Sequence, residues 1–196
     1  LVDADSVDLT NLQRQILFAM DDVGAPKVEA AARRLAAINP EPRYVRVAKR
    51  VGAGELAALA ADADVVLDCT DNFQTRHDVN RACVDARVPL VSGAAVRFDG
   101  QIAVFDARDP ASPCYHCLFG EGEELEETRC ATMGVFAPLV GIVGATQAAE
   151  ALKLIAGVGT SLAGRLLLLD ALAMEWRSLR VPRDPVCPVC GTGTAP

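Results

Sequence analysis

Two cysteine pairs carry the strongest chemical signal: Cys114-Tyr-His-Cys117 and Cys187-Pro-Val-Cys190. Four thiolates at CxxC spacing fill a tetrahedral zinc site and leave no coordination position open, which fits a structural metal rather than a catalytic one. Such a Zn²⁺ would tie the chain's tail back to a loop in its middle. Reduced, unmetallated thiols or a redox pair are the alternatives, and His116 could replace one ligand. The 196-residue chain holds seven cysteines. No signal peptide or basic leader is read before them, which favours a metal over disulfides.

A second group of residues follows an apolar strand, Asp64–Asp68. The run Asp68-Cys-Thr-Asp-Asn72 would sit at the carboxyl end of that strand, where open α/β sheets bind ligands. Asp71 there could hold Mg²⁺ on a nucleotide triphosphate. Alternatively, Asp71 or Asn72 caps the helix that begins at Phe73. A third group lies nearer the start. Asp3 at a strand end could bind ribose hydroxyls, Arg14 in Asn11-Leu-Gln-Arg-Gln15 offers a planar fork for phosphate oxygens, and Lys27 falls in the first turn of a helix. Each of these three, alone, also reads as a solvated surface charge.

Gly52-Ala-Gly-Glu-Leu-Ala57 matches a dinucleotide fingerprint, but the strand before it is short and basic, so it reads as a turn. Cys69 and Cys83 read as packing residues. Cys130 follows Arg129 at the end of an acidic loop. A neighbouring cation lowers a thiol's pKa, so Cys130 is a candidate nucleophile or an incidental loop residue.

These residues need a scaffold, and the patterning supplies one. Strands are expected at Leu1–Asp3, Tyr44–Ala48, Asp64–Asp68 and Val88–Ser92, with helices at Val23–Ile38, Glu55–Ala61 and Phe73–Ala86. That alternation predicts a Rossmann-like, mostly parallel sheet with crossover helices. An antiparallel part follows: a hairpin about Phe98-Asp-Gly100, then late strands at Arg165–Asp170 and Met174–Leu179. Between them lies a long helix, Pro138–Ile155. The charge-free stretch Ala131–Ala149 reads as a buried helix rather than a membrane span.

Net charge is −7 and half of the residues are hydrophobic. This suits one globular α/β domain over residues 1–196 and argues against a nucleic-acid binder, which shows a basic face. No membrane partner is expected, and the location is expected to be cytoplasmic. Residue 1 is Leu, so the chain is expected to begin after the natural start.

In order and spacing, these motifs resemble the MoeB/ThiF/HesA family of ubiquitin-activating-type adenylyltransferases, with the molybdopterin-synthase adenylyltransferase branch the nearest in likeness. The carriers are Leu1-Val-Asp-Ala-Asp5, Asn11–Gln15, Gly24-Ala-Pro-Lys27, Asp68–Asn72, Val91-Ser-Gly-Ala-Ala95, Ala137-Pro-Leu-Val-Gly141 and the two CxxC pairs. The resemblance implies ATP-dependent adenylation of the C-terminal Gly-Gly carboxylate of a small ubiquitin-like sulfur-carrier protein, in molybdopterin or thiamin-type biosynthesis.

It also implies residue roles. Asp3 would hold ribose, and Thr10, Asn11, Leu12, Gln13 and Arg14 would line the nucleotide site, Arg14 across a homodimer interface. Lys27 would bind phosphate, Asp71 with Asn72 would bind Mg²⁺, and Arg76 would be an accessory. Cys130 matches a position where some members carry a reactive cysteine. Cys114, Cys117, Cys187 and Cys190 match zinc ligands. Members begin with a strand and a glycine-rich loop ahead of the position of Leu1, so these are expected to be missing. Two other readings stand beside this one. One is a dinucleotide-dependent oxidoreductase using the Gly52 loop. The other is a non-catalytic module that only docks a carrier protein.

Overall fold

A computed structural model describes residues 1–120 and 134–191. The chain divides into two units, Leu1–Gly52 and Ala53–Pro196.

In the first unit, the two expected strands reduce to one parallel bridge, Val2 with Val47. Tyr44–Ala48 is too polar to bury either face, and Arg43, Val45 and Arg46 are all exposed. Two single 3₁₀ turns follow, Leu9–Asn11 and Met20–Asp22. Helix α1 spans Lys27–Ile38. It starts four residues later than the sequence suggests, because Pro26 holds an extended conformation at the cap position. Val28, Ala30, Ala31 and Ala32 bury its inner face, whereas Ile38 is exposed. The buried carboxylate of Asp22 accepts from Arg33 and Arg34 on this helix. The Ala19 backbone N–H and these two guanidiniums hold its pKa below the usual carboxylate value, against the opposing effect of burial.

The second unit is a five-stranded sheet in the order β1-β2-β3-β4-β5, its strands being Val66–Asp68, Leu90–Val96, Asp99–Phe105, Arg165–Asp170 and Glu175–Arg180. Helix α2 (Ala53–Ala61) precedes β1, and helix α3 (Phe73–Ala86) crosses from β1 to β2. Its start is set by Asn72, whose side chain accepts from the Thr75 N–H at 2.8 Å. Its end is set by Arg87 in the left-handed region. A short helix, α4 (Tyr115–Leu118), carries the first cysteine pair, and α5 (Ala137–Ala156) follows.

The α/β class with a late antiparallel part is what the sheet shows, although its described parallel share is the single pairing of β1 with β2. The other three pairings are antiparallel. The hairpin between β2 and β3 turns at Arg97-Phe98, since Val96 pairs with Asp99. Arg97 supplies the positive φ. Gly100 is instead a strand residue, where a Cβ would come within 2.8 Å of Leu139.

Side chains alternate across the sheet and fill two cores. Val91, Ile102, Val104 and Leu169 pack with Leu139, Val143 and Ala151 of α5. On the opposite face Leu90, Ala103, Phe105 and Leu166 pack with Val79, Cys83 and Tyr115. Helix α5 is long and apolar enough, by length and composition, to cross a membrane. Contrary to the expected buried helix, only one face packs on the sheet, through Leu139, Val143 and Ala151, while Leu152 and Ile155 are exposed. Its buried Gln147 and Glu150 bond to strand ends and to the Leu162 N–H.

Candidate functional site

The loop Asp68–Asn72 leaves the end of β1 and is fixed from behind by a buried polar network. The Asp68 side chain is fully buried, and its Oδ1 accepts from the Thr70 N–H at 2.9 Å and the Thr70 hydroxyl at 2.7 Å. Its Oδ2 accepts from Ser92 Oγ at 3.2 Å and lies 3.5 Å from Arg76 Nη1. Arg76, itself buried, also donates to Ser92 Oγ, to the Gly93 carbonyl and to the Thr70 carbonyl. From the other side Gln147 Nε2 donates to the carbonyls of Asp68 (2.9 Å) and Val91 (3.2 Å). Gly93 makes room for this amide: a Cβ there would lie 2.3 Å from Gln147 Cδ.

The consequence for the nominated residues is a division of labour. Asp71 is exposed at the loop's tip. Asn72 is the cap of α3. Arg76 turns its guanidinium inward and stiffens the loop that presents Asp71. Cys69 is exposed at this strand end, contrary to its reading as packing, and Cys83 is buried as expected. In the Gly52–Ala57 stretch, α2 already begins at Ala53, so Gly54 is helical.

The two CxxC pairs meet. Sγ separations are 3.9 Å for Cys114 and Cys117, 3.7 Å for Cys114 and Cys187, and 3.4 Å for Cys117 and Cys190. All four sulfurs lie within 4.8 Å of one another. A tetrahedron with Zn–S bonds of about 2.3 Å has edges of roughly 3.8 Å, so the four residues fit the ion. Burial pushes Cys114 upward and Cys117 to about 11. Without a cation beside them both are neutral thiols, and coordination reverses that by stabilising the thiolate. The Asp184 N–H already donates to Cys117 Sγ at 3.5 Å.

The first unit gathers the remaining nominated residues. Lys27 Nζ lies 2.9 Å from Asp5 and 3.9 Å from Asp3. Asp8 caps the Leu9–Asn11 turn, accepting from the Thr10 N–H and hydroxyl, and those bonds lower its pKa. Asn11 Oδ1 accepts from the Asp8 N–H, which completes a reciprocal cap. Arg14 donates to the Thr10 carbonyl at 3.1 Å, and Gln13 is exposed while Leu12 is half-buried.

Against known proteins, the model of the ThiF family matches residues 1–189. The chain belongs to the ThiF family. Among curated relatives of this ThiF-family chain, the molybdopterin-synthase adenylyltransferase of Escherichia coli K12 is 46% identical over 97% of the chain and 76% of the relative. The sulfur carrier protein ThiS adenylyltransferase of the same organism is 44% identical over 100% of the chain and 76% of that protein. The SAMP-activating enzyme E1 of Haloferax volcanii is 43% identical over 98% and 71%. Among solved structures, E. coli MccB with ATP superposes with a TM-score of 0.83 at 27% identity, over 97% of the chain. The chain spans 58% of MccB's length.

Sequence reasoning nominated Asp71, Asn72 and Arg76, and they do lie on one loop and helix start. It missed Asp68, Ser92 and Gln147, which hold that loop, and Asn80, whose Oδ1 accepts from the Tyr115 N–H at 2.9 Å. One signal was available: Gln147 is the lone side-chain amide in the charge-free stretch 131–149. Cys130 lies outside the described residues.

Proposed function

We propose that this ThiF-family chain is an adenylyltransferase that activates the C-terminal Gly-Gly carboxylate of a small ubiquitin-like sulfur-carrier protein with ATP. The observation that carries this reading is the loop Asp68–Asn72. It pairs an exposed carboxylate, Asp71, with a buried network that holds the backbone beneath it. The names of the curated relatives, all adenylyltransferases or activating enzymes of this type, support the same reading.

In the reaction a carboxylate oxygen of the carrier attacks the α-phosphorus of ATP. The bond to the pyrophosphate oxygen breaks, leaving an acyl-adenylate and pyrophosphate. Little covalent chemistry falls to the protein, so positioning and charge neutralisation dominate. Mg²⁺, when bound, supplies neutralisation of phosphate charge, and Asp71 would hold it. Lys27 and Arg14 are the phosphate-directed cations of the first unit, with Asp3 for ribose. Arg14 would act within a homodimer, and Cys130 would serve the later sulfur-transfer step. The cytoplasm is the expected setting. Zn²⁺ on Cys114, Cys117, Cys187 and Cys190 has a structural task.

Carrier-dependent ATP–pyrophosphate exchange tests the reading. Asp71→Ala should lower exchange by about a hundredfold or more, within the range of lost electrostatic stabilisation, while the circular-dichroism spectrum stays that of the parent. Exchange within a few-fold of the parent would refute it. The zinc assignment has its own test, because metal binding is coupled to folding. Cys187→Ser should lose the stoichiometric zinc and several degrees of melting temperature. Full zinc content at unchanged stability would remove the metal.

A further inference from the structure

Asn80 sits at mid-length on α3 and is 1% exposed. Its Oδ1 is committed to the Tyr115 N–H, inside the first cysteine pair. Its Nδ2 is buried and has no hydrogen-bond partner among the described residues. A buried amide donor left without an acceptor is costly, so its surroundings ask for one. Asn80 and Cys114 line the same cavity of about 100 Å³, with Cys190 also on its wall.

We propose that Asn80 is a positioning residue of the four-cysteine centre, its Oδ1 anchoring the backbone of the first pair and its Nδ2 donating to Cys114 Sγ when that sulfur is a metal-bound thiolate. A metal-bound thiolate keeps lone pairs that accept N–H donors, and such outer partners fix ligand orientation and strengthen metal binding, typically by about 10–100-fold. The same helix is capped by Asn72, directly after Asp71. Two helical turns therefore join the exposed carboxylate to the metal centre. This rests on the four cysteines being a metal site.

The test uses the protein loaded with Zn²⁺, and in parallel with Co²⁺, whose thiolate-to-metal charge-transfer bands report on the sulfurs. Asn80→Asp keeps an acceptor for Tyr115 and removes the amide donor, whereas Asn80→Leu keeps the volume and removes both. Both variants should shift the Co²⁺ band to lower energy, because an N–H donor stabilises the sulfur lone pairs. Both should release Zn²⁺ to a chelator about tenfold faster. A residue that merely packs or anchors Tyr115 would leave the band of Asn80→Asp where the parent has it. Parent-like bands in both variants overturn the proposal. A parent protein with no charge-transfer band at all overturns instead the metal reading beneath it.

Discussion

Two acid–base clusters in this molecule look alike on paper and behave as opposites. Asp68 and Arg76 are both buried, and each is held by further hydrogen bonds. Lys27 with Asp3 and Asp5 is more open, with side-chain exposures of 15%, 39% and 65%. A buried pair is costly to assemble and costlier to break, because removing one partner strands the other charge away from water. An exposed pair contributes little and exchanges partners easily. The first cluster therefore serves as scaffold for a loop. The second can exchange its carboxylate partners at small cost, as the proposed phosphate role of Lys27 requires.

The contrast can be broken most directly at Arg76. Arg76→Leu should destabilise the protein by about 3–5 kcal/mol in denaturant titration, since the Asp68 carboxylate would be left buried and unpaired. A loss below about 1 kcal/mol would place the pair in the surface class. A smaller effect is expected at Gly93. Gly93→Ala forces a methyl against Gln147 and should cost about 1–3 kcal/mol. Adding Gln147→Ala should recover part of that loss. Strict additivity of the two changes would show that the amide and the glycine are not coupled.

Acid sharpens the comparison further. Burial lowers the pKa of His77 on α3, next to the same scaffold. Below the unfolded value of 6.5 the unfolded chain takes up a proton that the folded one refuses. Stability attributable to His77 is therefore intact above about pH 6.5 and declines as pH falls. Thermal melts from pH 7.5 to 5.5 should show a shallower decline for His77→Gln than for the parent, and superimposable slopes would refute a neutral, buried imidazole. The smallest effect belongs to Lys27. Lys27→Met should change stability by less than about 1 kcal/mol while weakening exchange. A larger stability loss would mean that the open cluster is structural after all.

Much of the scaffold could be read from local pattern. Helix α3 occupies Phe73–Ala86 as anticipated, and β4 occupies Arg165–Asp170, because a capping asparagine and a leucine run are local signals. Strand β2 was misjudged in length for an instructive reason. The expected strand ends at Ser92, yet β2 runs on through Gly93 to Val96, with Gln147 occupying the space a side chain at Gly93 would fill. The partner sits 54 positions away in the chain and no local window contains both. The same holds for the contacts of Asp68 with Ser92 and Gln147. The residues nominated for ligand contact announced themselves by type, while those that hold the loop in place are defined by tertiary neighbours.

The four-cysteine centre has a temporal side as well. Cys114 and Cys187 are 73 residues apart. At roughly 5–20 residues per second of synthesis, the first pair leaves the ribosome about 4–15 s before the second is complete. During that interval α5, β4 and β5 are still being made, so the knuckle waits with two uncommitted thiols. A metal that joins the two pairs would therefore bind late in the biogenesis of this unit. Without such a metal both pairs would stay as free thiols open to oxidation.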